Sequence, residues 1–470
     1  MTKKPLPQPK PVAHFIGIGG IGISALARWF LAQNWGVSGS DISNSANITN
    51  LKKDGARVKI GHKRVNLPKG GLDMVIYSPA IRPDNPELIE ARKRGLKPLS
   101  YPETLGCLTR VYKTIAVAGS HGKSTTTALA ALTLIKAKLD PNVVVGTNLK
   151  ELGNKNFRYG HSKWLVIEAD EWKASFLNYS PDITIITNID KEHLDFYKNL
   201  SDVKKTFLKF VDKTKRGGSL ILNKNDKNLF SLKSPILKIA KKQNLKVVWY
   251  SAKKIELKKI LRIPGDHNIA NASAVLALAE ILQIKKSVAL KALRSYTGAW
   301  RRMEFKGFMI HDSPPKADPP PEERFRIPVY DDYAHHPTEI KASLRAFREK
   351  FPKEKVICVY QPHQAKRLKA LFKEFTESFS LADLLIIIPV YEVAGRDKVT
   401  STFTSKKLVE AIRKKYPQKE AYYLPSPNQV KKFLAKIFRD SSFKLHDSCI
   451  IMMGAGDIVN YTPSLLPHYE

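Results

Sequence analysis

The stretch AVAGSHGKSTTT, residues 116–127, decides how this chain is read. The apolar β run TIAVAG (114–119) enters it, and a pattern with helical spacing leaves it. A glycine loop between a strand and a helix aims backbone N–H groups at an anion, and the helix dipole adds to the attraction. Gly122, Lys123 and Ser124 form the working end of such a loop. The lysine reaches the terminal phosphates and the hydroxyl holds Mg²⁺. Gly119, Ser120, His121 and Thr125 complete a cradle expected to take a nucleoside triphosphate. Val117 stands where a full Walker A pattern has its first glycine.

Working outward, WLVIEADEW (164–172) places Glu168 at the end of an apolar strand, where a second Mg²⁺ ligand is wanted. Carboxylate oxygens suit a hard cation that also takes phosphate ligands. In TNIDKEHLDFY (187–197), His193 lies among acids after another strand and reads as a metal-bound or substrate-contacting residue. Toward the N-terminus, HFIGIGGIGIS (14–24) is a second glycine loop. Gly17, Gly19 and Gly22 satisfy G-x-G-x-x-G, and Asp41 follows near the acidic position of a dinucleotide fingerprint. The physical logic of that loop identifies a diphosphate, not a nicotinamide.

The rest of the chain carries α/β signals in three blocks. Residues 1 to about 109 give a strand, a glycine turn and a helix, then strands at GVSGSD (36–41) and DMVIYSPAI (73–81). The second block has strands at NVVVG (142–146), WLVIEAD (164–170), ITIITNI (183–189), SLILN (219–223) and VVWYS (247–251), closed by the helical NIANASAVLALAEIL (268–282). The third has strands at VYDDYA (329–334), KVICVYQP (355–362), LLIIIPV (384–390), AYYLP (421–425) and SCIIMMGAG (448–456). Short strands alternating with helices predict mostly parallel sheets. The proline-rich HDSPPKADPPPEERFRIP (311–328) reads as a surface loop or insertion.

Composition narrows the classes. The chain has 470 residues, ample for several domains, and a net charge of +36. Such a charge suits anionic partners, but the lysines are scattered and form no nucleic-acid tail or aromatic-lined basic groove. Cys107, Cys358 and Cys449 are far apart, which excludes a disulfide framework and a cysteine-based zinc site. The N-terminal MTKKPLPQPKPVA lacks the apolar core of a signal peptide, and no apolar run approaches a membrane span. A cytoplasmic protein without membrane insertion, a monomer or weak homodimer, is expected. Six of the twelve histidines (His121, His193, His267, His335, His336 and His363) sit in polar clusters beside strand ends. The carrying stretches are PGDHNIAN (264–271), DDYAHHPTE (331–339) and QPHQAKR (361–367), with GAWRRMEF (298–305) supplying adjacent arginines suited to phosphate.

This ordered set resembles the Mur ligase family, the ATP-dependent ligases that build the peptidoglycan peptide stem. The resemblance implies three α/β domains: a Rossmann-like UDP-binding domain (1–109), a central P-loop ATPase-type domain with a parallel sheet (110–298) and a Rossmann-like amino-acid-binding domain (299–470). It assigns Gly17, Gly19, Gly20, Gly22 and Ser78 to the UDP-sugar. It assigns Gly119 to Thr125, Asn268, Asn271, Arg302 and Asp332 to ATP, with His267 beside the adenine contacts. Ser124, Glu168 and His193 become metal ligands, and His336, His363 and Arg367 face the amino acid. Lys123, His193 and Arg302 are the implied catalytic groups. The implied substrates are ATP, UDP-N-acetylmuramate and L-alanine, joined through an acyl phosphate that domain closure keeps from water. A tripeptide-attaching recycling ligase shares the AHHP stretch but has a less similar first glycine loop. An NAD-dependent oxidoreductase leaves the GKS loop unexplained. Three departures from the family pattern stand out: EWKAS (171–175) replaces an ES-D continuation, Gln364 replaces the arginine after QPH, and the proline-rich loop 311–328 has no counterpart in it.

Overall fold

The structure is a computed structural model and describes residues 10–252, 254–311, 325–392, 403–440 and 448–467. Three sheets organise it. The first contains β1 (Val12–Ile16), β2 (Gly36–Asp41), β3 (Arg57–Ile60), β4 (Met74–Tyr77) and β5 (Leu99–Ser100), in the order β3-β2-β1-β4-β5, all parallel. The order reverses beside β1, and the loop leaving β1 opens where α/β sheets bind ligands.

The second contains β6 (Lys113–Ala118), β7 (Asn142–Leu149), β8 (Lys155–Arg158), β9 (Trp164–Glu168), β10 (Ile183–Ile186), β11 (Ser219–Asn223) and β12 (Lys246–Tyr250). Its order is β12-β11-β10-β6-β9-β7-β8, antiparallel only between β7 and β8. Residues 115–118 of β6 are fully buried, as a strand flanked on both sides and covered on both faces must be.

The third contains β13 (Glu304–His311), β14 (Phe325–Asp332), β15 (Lys355–Tyr360), β16 (Leu384–Ile387), β17 (Glu420–Tyr423) and β18 (Ser448–Met453), ordered β13-β14-β18-β15-β16-β17 and antiparallel only at β13–β14. Here the structure corrects the reading of 311–328 as one loop. His311 ends β13 and residues 325–328 belong to β14, while 312–324 lie outside the described residues. Pro328 is accommodated because it pairs only toward β13; pairing with β18 begins at Val329.

The described residues up to Glu192, with Asn199–Ala252 and Ala270–Tyr296, form one compact unit. His193–Lys198, the described part of Lys253–Ile269 and the described residues from Thr297 onward form another. Within the first unit, the helix Ile21–Ala32 joins two sheets. Phe15, Phe30 and Trp29 pack with Phe157 and Tyr159, each fully buried side chain contributing roughly 1.5–3 kcal/mol. Trp29 Nε1 donates to Asn142 Oδ1 (3.2 Å) and Arg28 to Asn156 Oδ1 (3.0 Å). The helix Tyr101–Val111 begins with a capping box between Ser100 and Glu103. Its Gly106 presses on Asn178, so close that a Cβ would lie 2.5 Å from the Asn178 carbonyl oxygen. In the second unit, two cores line the two faces of the third sheet, one around Phe347, Tyr360 and Phe379, the other around Ile357, Val359 and Phe438.

Candidate active site

The first glycine loop leaves β1 at Gly17, whose φ of +77° is a left-handed conformation that favours glycine. Gly17 and Ile18 N–H both donate to the Ser40 carbonyl (2.8 and 3.0 Å), fixing the turn to β2. Gly20 caps the helix Ile21–Ala32 without a side-chain acceptor, and the first turn holds no acid. The positive end of its dipole therefore has no side-chain cap and no acid in its first turn. Ser78 stands beside Gly17, its Cβ 3.1 Å from where a Gly17 side chain would begin. Gly22 faces the Tyr101 ring at comparable range. Asp41 does not stand free as a ribose contact. Its Oδ2 accepts from Gly19 N–H (2.8 Å) and its Oδ1 from Ile42 N–H (2.8 Å).

The second loop leaves β6 at Gly119, and Gly122 (φ +80°) caps the helix Lys123–Lys136. Neighbouring strand ends hold it open. Asn188 accepts from His121 N–H through Oδ1 (2.8 Å) and from Ser120 N–H through its carbonyl (3.1 Å). Thr187 Oγ1 donates to the His121 carbonyl (2.6 Å), and His121 Nε2 lies 3.1 Å from Asp190 Oδ2. Asn271 packs against Gly122 so tightly that a Cβ would lie 2.5 Å from its Oδ1. Thr125 is buried in the helix's first turn.

Carboxylates surround the cation of this loop. Lys123 Nζ donates to Glu171 Oε2 (2.7 Å) and to the Ser120 carbonyl (3.4 Å), with Asp170 Oδ1 at 3.7 Å. Burial works against the ammonium, but Glu171, Asp170 and Glu168 outweigh it and hold its pKa above the ordinary lysine value. Ser124 Oγ donates to Glu168 Oε1 (3.1 Å), and Glu168 Oε2 accepts from Gly146 N–H (2.8 Å). A hydroxyl and a carboxylate this close form a hard-oxygen pair of the kind Mg²⁺ takes, so the donor set fits that ion.

The second unit holds the remaining candidates. His193 has φ +54°, and its carbonyl accepts from Phe196 and Tyr197 N–H (2.8 and 2.9 Å). His267 is driven down to about 4 by burial and by the Arg302 charge, so it is neutral near pH 7. Asn268 turns its amide onto the Pro264 carbonyl (2.7 Å). Arg302 lies over the Tyr333 ring (4.9 Å) and 3.8 Å from Glu339. Asp332 is buried, which raises its pKa. It accepts from Ala334 N–H, Ser343 Oγ and Met303 N–H (2.9, 3.0 and 3.1 Å).

At the ends of β14 and β15 the two adjacent histidines separate. His336 caps the helix Pro337–Lys350, its Nδ1 accepting from Thr338 N–H (3.3 Å). His335 instead meets His363 edge-on (5.7 Å) and reaches Glu339 (3.1 Å). His363 stacks on Tyr391 (5.6 Å, 11°) and lies 3.3 Å from Arg367 Nη1. Tyr391 and Glu171 are additions to the sequence reading, which marked His335 only as one of the clustered histidines and Arg301 only as one of two adjacent arginines. Arg301 is buried, stacks on Tyr333 and holds the loop after β18 through the Gly454 and Gly456 carbonyls. Glu171 and His335 lie inside stretches that the sequence marks. Tyr391 carries no local signal.

The sequence model of the Mur ligase catalytic domain matches residues 12–113, that of the Mur ligase middle domain 117–279 and that of the Mur ligase glutamate ligase domain 322–456. The chain belongs to the Mur ligase family. It is 37% identical over 476 residues to the UDP-N-acetylmuramate–L-alanine ligase of Clostridium acetobutylicum, covering 95% of each chain. It is 40% identical over 396 residues to the ligase of that name from Aquifex aeolicus, covering 80% of this chain and 83% of the other. The crystal structure of the UDP-N-acetylmuramate–alanine ligase of Thermotoga maritima superposes with a TM-score of 0.74 at 28% identity, covering 96% and 97% of the two chains. A murein peptide ligase from Psychrobacter arcticus shares the fold, with a TM-score of 0.66 at 22% identity over 97% and 98% of the two chains. Among the described residues, no helix is long and apolar enough to cross a membrane.

Proposed function

We propose that the protein is an ATP-dependent ligase that joins L-alanine to the lactyl carboxylate of UDP-N-acetylmuramate, a step of peptidoglycan precursor synthesis. The observation that carries this reading is a pair of unlike glycine cradles in one compact unit, in a chain similar over nearly its full length to alanine ligases. One cradle is built of amides alone; the other adds a lysine, a hydroxyl and carboxylates. Two nucleotide substrates, one held and one reacted, account for the pair. We assign residues 1–109 to the UDP-sugar, 110–298 to ATP and 299–470 to the amino acid.

A carboxylate is a poor electrophile. In this reading a lactyl carboxylate oxygen attacks the γ-phosphorus of ATP and ADP leaves. The alanine amine then attacks the acyl-phosphate carbonyl carbon, and the tetrahedral species loses a proton from nitrogen to solvent and expels phosphate to leave the amide. Lys123 and the helix that follows it oppose the charge of the transferring phosphoryl group. Glu171 orients Lys123. Asn271 and the amides of the Gly119–Ser124 loop position the triphosphate. Ser124 and Glu168 would hold Mg²⁺, which when bound neutralises phosphate charge. Arg302 serves the phosphates, with Asn268 and Asp332 toward the rest of the nucleotide. His193 serves as a further ligand to metal or substrate. His363 and Arg367, with His336 and the neighbouring His335, serve the amino acid, the arginine meeting its carboxylate.

Phosphate release by the purified protein tests the reading. Release is expected only when ATP, UDP-N-acetylmuramate and L-alanine are all present. Equal turnover with a tripeptide in place of alanine would favour a recycling ligase. Turnover driven by a nucleic acid alone would overturn the ligase reading.

A further inference from the structure

The segment EWKAS (171–175) has a strained backbone. Lys173 (φ +50°, ψ +28°) and Ala174 (φ +55°, ψ +28°) are consecutive left-handed residues, and neither is glycine. Such a conformation persists only where its surroundings impose it. Here Ala174 N–H donates to the Glu171 carbonyl (2.9 Å), Phe176 N–H to the Asp170 carbonyl (3.1 Å) and Ser175 Oγ to the Trp172 carbonyl (2.7 Å). The result divides the segment between two sites. Glu171 turns to Lys123 of the second cradle. Lys173, two residues on, lies over the Trp172 ring (4.6 Å) and extends its ammonium to the Pro79 carbonyl (3.4 Å). Pro79 follows Ser78, the residue packed on Gly17 of the first cradle.

An exposed lysine with one carbonyl contact at that range and one ring contact gives little stability, too little to account for two left-handed residues. A charge at that place has a use. The loop GIGGIG (17–22) carries no charged side chain, and the side chain that accepts from its Gly19 N–H is the acidic Asp41, which offers no cation. A diphosphate there gains from a cation brought in from another element. We propose that Lys173 is a binding residue of the first cradle, its ammonium engaging the diphosphate of the nucleotide-sugar. This rests on the reading of that cradle as the UDP-sugar site. It gives the strained segment one task at each cradle.

Calorimetric titration of the full chain with UDP, and separately with ATP, tests the proposal. Lys173→Asn removes the charge, and asparagine tolerates the left-handed backbone. UDP affinity is expected to fall about tenfold, the size of one charge-assisted hydrogen bond, with ATP affinity unchanged. Lys173→Arg should restore most of it. UDP affinity should also fall more steeply with salt in the natural protein than in the Asn variant. Unchanged UDP affinity in Lys173→Asn would overturn the role of Lys173 and leave the cradle's reading intact. Failure of the natural protein to bind UDP or the UDP-sugar would overturn that reading instead. Equal loss of UDP and ATP affinity, or an Arg variant no better than Asn, would show the residue to be structural and overturn the proposal.

Discussion

The two glycine cradles start from the same local design and differ in what surrounds them. Each follows a parallel strand, turns through a left-handed glycine and opens a helix. At the first, the loop amides are tied to Ser40 and Asp41, and the helix start is left without a side-chain cap. At the second, the helix begins with Lys123 and Ser124, each met by a carboxylate. Amides and a dipole can hold a phosphate; transferring one also needs a cation that can follow the moving charge. In the proposed reading the glycine pattern marks an anion site, and the side chains around it separate the loop that holds from the loop that reacts.

The sharpest way to break this contrast is Lys123→Ala. Phosphate release should fall at least about a thousandfold, as when a charge-stabilising group is removed from a phosphoryl-transfer site, while calorimetric affinity for the UDP-sugar stays the same. Loss of both would mean that the cradles are not independent. Next is Gly122→Ala, which places a Cβ 2.5 Å from Asn271 Oδ1 in a left-handed turn. The KM for ATP should rise on the order of tenfold or more, since strain and displacement of Asn271 combine.

A third substitution sharpens the contrast from below the first cradle. Glu87 is buried and accepts from Ser40 Oγ (2.9 Å) and Asn66 Nδ2 (3.0 Å), with His14 Nε2 at 2.8 Å and His62 Nδ1 at 3.2 Å. Burial raises its pKa, but these bonds prevail and hold it at about 2. A depressed carboxyl contributes stability that is present above the unfolded value near 4.5 and is lost as pH falls toward 2. Glu87→Gln should cost on the order of 2 kcal/mol at pH 7, and the gap between the two proteins should narrow below about pH 4.5 in denaturant titrations. A pH-independent gap would mean that packing, not ionisation, sets the cost. The smallest effect is expected from Gly20→Ala. Gly20 has an ordinary φ of −61°, and its added Cβ meets only Ile23 Cγ2 at 3.3 Å before the Gly17 carbonyl. UDP affinity should change by no more than a few-fold, against the larger loss at Gly122.

Legibility followed how local each feature is. β2 and β11 coincide with the runs GVSGSD and SLILN, because their apolar or small residues and flanking turns are contiguous. The short β3 is largely exposed and has no apolar run, so pattern alone passes over it. Lys123 and Ser124 are legible because they are adjacent to their own glycine. The choice between His335 and His336 was not. One residue of shift at the start of the helix Pro337–Lys350 decides which ring caps and which meets His363.

Three successive α/β patterns, two glycine loops between a strand and a helix, and the residue types near them follow from the chain alone. These are properties of neighbours along the chain, where periodicity and turn chemistry act over a few residues. Tertiary structure alone decided the pairings: Asp41 on Gly19, Glu171 on Lys123, Tyr391 on His363 and Lys173 at Pro79. Hydrogen bonds and charges act through space over a few ångströms. Which distant residues come within that range depends on strand order and backbone strain, and no local window of sequence contains either.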